Sequence, residues 1–281
     1  MAADYLAALD GGWQMLGNDT VGDCAAVSWA NNRRLVTAAL TGTARYPDLA
    51  MVYSVYASQN PGFDPNGDPA VDGPGSPADG GMDLQTLLEY LTKTGGPDGV
   101  KAVGFAQVNP ARTAEVKAAI ALFGSLLTGI TVLDVNEQEF AAGQPWSWDP
   151  SAQAAGGHAV LTGGYGPPGP GPLGGDERFV TWAAETSFDD SFWASAVEEA
   201  WVVIWPEMLG SLEFMQGVDM AQFASDYQVI TGRPFPYVVP PSPAPVPGPS
   251  PAPAQGLLGE LASLVRTDAQ AAISWLDSHG L

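Results

Sequence analysis

Hydrophobic and polar positions in the first part of the chain repeat with the period of about 3.6 residues that is typical of helices. Apolar side chains return on one side of the chain over 24–41, and Asp23 stands before them as a helix cap. The same pattern predicts a short helix over 48–58 and an amphipathic helix over 84–94, the latter capped by Asp83. The first part of the chain is therefore predicted to be mainly helical.

The second part of the chain changes to runs of β-branched and aromatic residues bounded by Gly, Pro and Asp, a pattern typical of strands. One helix is predicted there, over 114–123. Strands are predicted over 100–108, 125–135, 158–164, 178–184 and 201–205. Helices early and strands late indicate an α+β fold of two facing lobes, one helical and one built on an antiparallel sheet.

The C-terminal part has a composition of its own. From Pro240 to Pro253, proline alternates with Ser, Ala, Val and Gly, which predicts an extended polyproline II segment, and apolar residues beyond it return at helical spacing. We therefore expect a folded domain over 1–238, a proline-rich linker over 239–255 and an amphipathic helix over 256–281. The linker and helix together are a candidate device for self-association or for docking on a partner.

The chain is strongly acidic, with 10 Lys and Arg against 31 Asp and Glu and a formal net charge of −21. Charge of that sign repels nucleic acid and anionic membranes, so neither is expected as a partner. The amino terminus lacks the basic start and apolar run of a secretion signal, and no stretch is long enough for a membrane span, which indicates a cytoplasmic protein. The single cysteine excludes an internal disulfide.

Carboxylates crowd the loop between the second and third predicted helices, where Asp64, Asn66 and Asp68 have the alternate spacing of a calcium loop. Such a loop needs Gly at its sixth position and Glu at its twelfth, and these positions are Pro69 and Gly75. With one Cys and two His, a zinc site is excluded as well. We therefore expect a solvated, turn-rich loop, no metal and no cofactor.

The candidate chemistry lies in Cys24, at the predicted start of the first helix, and His158, on a predicted strand. A lone thiol at a helix N-terminus with a distant histidine is what thiol-based acyl transfer requires. The helix terminus and an imidazolium are expected to lower the pKa of the thiol. The alternative for Cys24 is a buried thiol that packs as a small apolar side chain.

Several blocks of the chain resemble, in order, those of the papain-like cysteine peptidases. The stretch 18–24, Asn-Asp-Thr-Val-Gly-Asp-Cys, matches the amide, the glycine turn and the nucleophile at the start of the family's central helix. Residues 79–90 are similar to its second helix, and 157–165, Gly-His-Ala-Val-Leu-Thr-Gly-Gly-Tyr, is the most specific block, similar to its histidine strand. The resemblance covers about 10–205 and implies the two-lobed papain-like fold.

In their amino-acid motifs, these blocks look most like the compact papain-like proteins of actinobacterial phages and their hosts. This narrower resemblance adds the virion to the expected locations and a virion component to the expected partners, reached through residues 240–281.

The resemblance also implies roles for single residues. Cys24 matches the nucleophile and His158 the general base and acid. Asn18 matches the side-chain donor of the oxyanion hole, where the family usually has Gln. The backbone N–H of Cys24 would be the second donor.

The residue that orients the histidine departs from the family pattern. The family uses an Asn, and the position aligned with it is Val180, which cannot accept a hydrogen bond through its side chain. The nearest polar substitutes are Thr181 and Glu185. Strand alternation decides which of the two faces His158, and both remain candidates.

Trp146 and Trp148, in the loop before His158, are candidates for the floor of a substrate groove, and Gly157 is a third candidate substrate contact. Tryptophans in such a loop are otherwise part of the core. The implied function is a thiol hydrolase that cleaves peptide or amide bonds of a peptide or protein substrate through an acyl-enzyme. Two alternatives remain: a papain-fold structural or assembly protein with little activity, and a transferase in which an amine accepts the acyl group.

Overall fold

The computed structural model describes residues 3–9, 11–166 and 177–210 together with Pro234. The chain divides into two units, Met1–Met208 and Leu209–Leu281, and the second lies almost wholly outside the described residues. The predicted linker over 239–255 and the predicted helix over 256–281 fall there as well, so the three predicted domain boundaries stay predictions.

Three helices follow one another in the first half: α1, Cys24–Thr41; α2, Leu49–Tyr56; and α3, Leu84–Lys93. All three helix predictions are confirmed to within two residues at each end. The side chains of Asp48 and Asp83 accept hydrogen bonds from backbone N–H groups in the first turns of α2 and α3. The side chain of Asp23 makes no such bond, so its predicted capping role is wrong.

Among the described residues, seven strands form one antiparallel sheet, in the order β2-β7-β3-β4-β5-β6 with β1 paired to β4. Their bounds are β1, Ala3–Asp4; β2, Gly104–Val108; β3, Leu126–Leu133; β4, Ala154–Tyr165; β5, Glu177–Thr181; β6, Ala184–Phe188; and β7, Val197–Ile204. The later helices are α4, Thr113–Phe123; α5, Asp134–Ala141; and α6, Asp190–Ala196, and short 3-10 helices cover Leu6–Ala8 and Pro206–Gly210. Mixed helices and an antiparallel sheet confirm the predicted α+β class.

The predicted strand over 178–184 is in fact a hairpin. The chain reverses at Trp182 and Ala183, whose φ angles of 43° and 63° lie in the left-handed region, and β6 returns antiparallel to β5. Two successive positive φ values are the mark of a two-residue type I′ turn, which usually contains Asn or Gly. Because the turn has neither residue, its sequence carries no hairpin signal.

α1 packs on the sheet against β4 and β3. It is buried on nearly all sides, so its inward residues include polar ones as well as the predicted apolar stripe, namely Asn31, Asn32, Arg33 and Thr37. A helix buried all round is the core helix of its domain rather than a surface helix.

Arg33 of α1 forms ion pairs with two segments that lie far from it in sequence. Its side chain is 1% exposed, and it donates to Asp98 at 2.8 Å and to Glu207 at 2.7 Å. The guanidinium also lies 4.3 Å from the ring centre of Trp205, whose indole N–H donates to Asn32 at 2.6 Å. Because a buried cation must be paired, this network fixes the position of α1, and with it Cys24, relative to the sheet.

Within the described residues, no helix combines the length and the hydropathy that crossing a bilayer requires.

Candidate functional site

Cys24 is the first residue of α1, as predicted, and its side chain is half-buried. The backbone N–H of Ala159 lies near the Cys24 sulfur and acts to lower the pKa of the thiol. Ala159 follows His158 directly on β4. The structure therefore brings the thiol to the strand that carries the candidate base, although 134 positions separate the two residues in sequence (158 − 24).

Asn18 lies in the turn before α1, six residues before Cys24. Leu16 and Gly17 both have left-handed φ angles, 54° and 95°. A Cβ on Gly17 would also lie 2.7 Å from the hydroxyl of Tyr53 and 3.0 Å from a carboxyl oxygen of Asp23, so no larger residue fits. Asn18 is half-buried, and its side chain forms no hydrogen bond to any residue that the structure describes, which leaves the amide available to a ligand.

His158 is half-buried on β4 and is held from one side by the β5–β6 hairpin. Its Nε2 atom lies 2.6 Å from the hydroxyl oxygen of Thr181. The ring of Trp182 covers the imidazole, with ring centres 5.3 Å apart and planes 31° from parallel. Because Nε2 is engaged by Thr181, Nδ1 is the ring nitrogen that can exchange a proton with another group.

Of the two polar residues offered as partners of His158, only Thr181 contacts the imidazole in the described structure. The carboxylate of Glu185 instead accepts a hydrogen bond from the indole N–H of Trp13 at 2.7 Å. The sequence did not indicate that Trp13 contacts Glu185, because the two residues are 172 positions apart and no local pattern links them.

Burial keeps the thiol and the imidazole uncharged near neutral pH. Removal from water, with a smaller contribution from the neighbouring carboxyl of Asp23, raises the pKa of Cys24 to about 11. Burial alone lowers the pKa of His158 to about 4. The expectation of a lowered thiol pKa is therefore wrong, since desolvation outweighs the helix terminus and no imidazolium forms.

Asp23, next to Cys24, is an ionisable residue that sequence reasoning treated only as a cap. It is fully buried, and neither carboxyl oxygen has a hydrogen-bond partner among the described residues. Burial, with smaller contributions from the carboxylates of Asp79 and Asp19, raises its pKa to about 8. Asp79 is itself held by the backbone N–H of Gly22 and the hydroxyl of Tyr56.

The structure corrects the placement of Trp146. The side chain is fully buried in an aromatic cluster, with ring centres 5.1 Å from Phe179, 6.2 Å from Phe188 and 5.7 Å from Phe192. A residue with no exposed surface cannot contact a substrate, so Trp146 belongs to the core.

The other two candidate substrate contacts remain reachable. Trp148 is half-buried against the same aromatic cluster, and its backbone N–H donates to the hydroxyl of Ser191 at 3.2 Å. Gly157 is exposed on β4, and a Cβ built on it would meet nothing within 4 Å. Open space thus adjoins the residue that precedes His158.

The carboxylates of the acidic loop serve as acceptors in turns. Asp64 accepts from the backbone N–H of Asn66 at 2.9 Å, and Asp72 accepts from that of Asp68 at 2.9 Å. Over the described ranges, no group of three or more His, Cys, Asp or Glu side chains is arranged to hold a metal ion.

Comparison with known proteins identifies the fold. No protein-family profile matches the chain, and no curated protein matches it either. Among the matching solved structures is that of xylellain, a cysteine protease from Xylella fastidiosa, with a TM-score of 0.52 and 14% identity over 72% of this chain and 85% of that chain. This similarity supports the papain-like fold expected from the sequence. The two-lobed arrangement and the narrower phage resemblance stay predictions.

Proposed function

We propose that the protein is a papain-like thiol hydrolase that cleaves peptide or amide bonds through an acyl-enzyme on Cys24. His158 acts as general base and acid, and Asn18 with the backbone N–H of Cys24 stabilises the oxyanion. The observation that carries the proposal is the position of the Ala159 backbone N–H near the Cys24 sulfur, because Ala159 directly follows His158 on β4, and Thr181 engages the Nε2 atom of that histidine.

The pKa values are those of an uncharged thiol and imidazole rather than of a preformed thiolate–imidazolium ion pair. At neutral pH both Cys24 and His158 are uncharged, with pKa values of about 11 and about 4. Nδ1 of His158 takes the thiol proton as sulfur attacks the carbonyl carbon, and the tetrahedral oxyanion forms against Asn18. The C–N bond then breaks, the leaving amine takes the proton from His158, and water hydrolyses the thioester in the reverse sense.

Alkylation of the thiol by iodoacetamide at pH 7 tests this proposal, because the single cysteine makes labelling unambiguous. We expect Cys24 to react and His158→Ala to lower the rate about 100-fold, a typical contribution of a positioned base. Replacement of the other histidine, His279→Ala, is the matched control and should leave the rate unchanged. Labelling would be followed by mass spectrometry. Equal rates in wild type and His158→Ala would reject the proposal.

The second candidate is a papain-fold binding or assembly protein with weak or no activity. The raised pKa of Cys24 favours it, because little thiolate is present at neutral pH. The same labelling experiment separates the two, since a thiol that does not depend on His158 has no assisted reactivity. The docking arm predicted at 240–281 lies outside the described residues and stays a prediction.

A further inference from the structure

A cavity of about 420 Å³ lies between the N-terminal segment and the β5–β6 hairpin. Residues 7, 9 and 11–13 form one wall, and residues 183–185 form the other. The volume is in the range of sites that hold a small molecule or a long side chain.

The hairpin wall continues from the residues that hold the candidate base. Thr181 and Trp182 contact His158, and the next residue, Ala183, already lines the cavity. Ala184, also in the wall, is paired with Thr181 across the hairpin. The cavity therefore begins next to the side of His158 that the hairpin covers.

The opposite wall includes Trp13, which packs against Arg34 and lies shortly before Asn18 in the sequence. Trp13 lies five residues before Asn18, and the guanidinium of Arg34 packs 4.5 Å from the centre of its ring and 5.0 Å from that of Tyr46. Arg34 also donates to the carbonyl of Gly11 at 2.5 Å. Its other terminal nitrogen is buried, so this cation stands behind the wall and does not face the cavity.

Glu185 supplies the charge of the cavity. Its Oε1 atom accepts from the indole of Trp13, while no described residue bonds Oε2. The other side chains that line the cavity are small or apolar and include Leu9, Ala183 and Ala184. An open groove with apolar side chains and one carboxylate in its walls suits a ligand with an aliphatic stem and a cationic end. An anionic ligand would meet both this carboxylate and the net charge of −21.

We propose that this cavity, the cation pocket, binds a lysine or arginine side chain on the leaving-group side of the scissile bond. The proposal rests on the hydrolase function above, in which His158 protonates the leaving amine. That amine must lie against the imidazole, so the chain that follows it runs past Trp182 towards the cavity. The pocket thereby selects substrates with a basic residue shortly after the cleaved bond.

Binding is measured on the full-length Cys24→Ser variant, in which no acyl transfer to sulfur takes place. The probes are N-acetyl-lysine methylamide, the neutral norleucine analogue of the same stem length, and the glutamate analogue. The readout is the indole N–H resonance of Trp13 in the ¹⁵N-labelled protein, assigned through Trp13→Phe. Glu185→Gln is the matched variant, because an amide oxygen still accepts from Trp13 while the charge is lost.

We expect the lysine probe to bind about fivefold tighter than the norleucine probe, the effect of one partly exposed ion pair. The preference should disappear in Glu185→Gln and shrink with added salt. Equal binding of the lysine and norleucine probes to the protein with Glu185 intact, or tighter binding of the glutamate probe, would overturn the proposal. That comparison holds even if Glu185→Gln does not fold.

Cleavage of a peptide library by the wild-type chain separates this proposal from the function on which it rests. Enrichment of Lys or Arg within the first residues after the cleaved bond, lost in Glu185→Gln, supports the pocket. Cleavage with no basic preference on that side contradicts the pocket and leaves the hydrolase intact. A lysine preference in binding, with no cleavage and no His158-dependent alkylation, contradicts the hydrolase and the pocket's role in leaving-group selection.

Discussion

Thr181 engages the imidazole of His158 through a neutral hydroxyl, where papain-like peptidases are expected to use an amide. A hydroxyl can donate or accept, so this bond positions the ring without fixing which nitrogen carries the proton. It adds no charge that would stabilise an imidazolium, in line with the lowered pKa of His158. In the proposed hydrolase, Thr181 would therefore be a positioning residue whose effect depends on geometry alone.

Replacing Thr181 by Val keeps the shape of the side chain and removes the bond to His158. We expect the rate of Cys24 alkylation to fall about tenfold, because a loosely held base is aligned less often. Thr181→Ser retains the hydroxyl and should restore most of the rate. The pH dependence of alkylation should change for Val and not for Ser. Equal rates in all three proteins would contradict a positioning role.

The predicted positions of single residues are confirmed where the local sequence determines the helix or strand that carries them. Cys24 could be placed at a helix start because a polar turn precedes an apolar period, and His158 lies on a β-rich run. The choice between Thr181 and Glu185 needed the turn at Trp182, which reverses the chain and has no sequence signal. The burial of Asp23 and the raised pKa of the thiol depend on packing by distant segments, which no local pattern records.

At the level of elements, the β5–β6 hairpin is strained at the point where it meets the site. Trp182 and Ala183 both adopt left-handed backbone conformations, which L-residues other than Gly, Asn and Asp rarely occupy. The turn places the indole of Trp182 over His158 and lines the cation pocket with Ala183. Strain at this turn is consistent with a functional constraint on its geometry.

Ala183→Gly should relieve the strain at the second turn position. We expect the free energy of unfolding to rise by about 1 kcal/mol, since glycine adopts the left-handed conformation without a Cβ clash. That corresponds to about 2–4 °C in melting temperature for a domain of this size. Thermal unfolding measures the change. A control, Ala196→Gly within α6, should lower the melting temperature, because there glycine adds only chain entropy and a lost contact.

The elements that the sequence predicted are those with strong local signals. α2 and α3 have aspartate caps, and α1 has a long apolar period. α5 and α6 were not predicted, because each is about two turns long and is fixed by tertiary contacts: Asn136 of α5 is fully buried, and Phe192 of α6 lies in the aromatic cluster. Short helices of this kind depend on packing more than on propensity.

At the level of the whole molecule, two buried ionisable groups give the stability an unusual pH dependence. Asp23 has a pKa of about 8 against an ordinary 3.8, so the folded state retains a proton that the unfolded state loses as pH rises from about 4 to 8. Stability therefore decreases over that window. His158 has a pKa of about 4 against 6.5, so stability is lost as pH falls from 6.5 to 4. The two slopes oppose each other below pH 6.5.

Between pH 6.5 and 8, Asp23 lowers the stability as pH rises, and His158 no longer contributes an opposite slope. We expect the free energy of unfolding of the wild type to fall by about 1.5 kcal/mol over this interval. Asp23→Asn mimics the protonated acid and should not show this fall. Urea unfolding at pH 6.5 and 8.0 and constant ionic strength measures the difference. The exposed neighbour Asp19→Asn is the control and should keep most of the wild-type slope. Parallel pH profiles for Asp23→Asn and wild type would contradict a buried, raised carboxyl.

The position of the Cys24 sulfur near the backbone N–H of Ala159, on a strand formed late in the chain, also has a consequence for biosynthesis. During translation the thiol leaves the ribosome well before β4 does, at about 5–20 residues per second. The nascent chain thus carries the thiol before it carries β4, which holds His158, and the β5–β6 hairpin, which contacts that histidine. In the proposed hydrolase, reactivity assisted by His158 therefore arises only after β4, β5 and β6 have been synthesised, the last of which ends at Phe188.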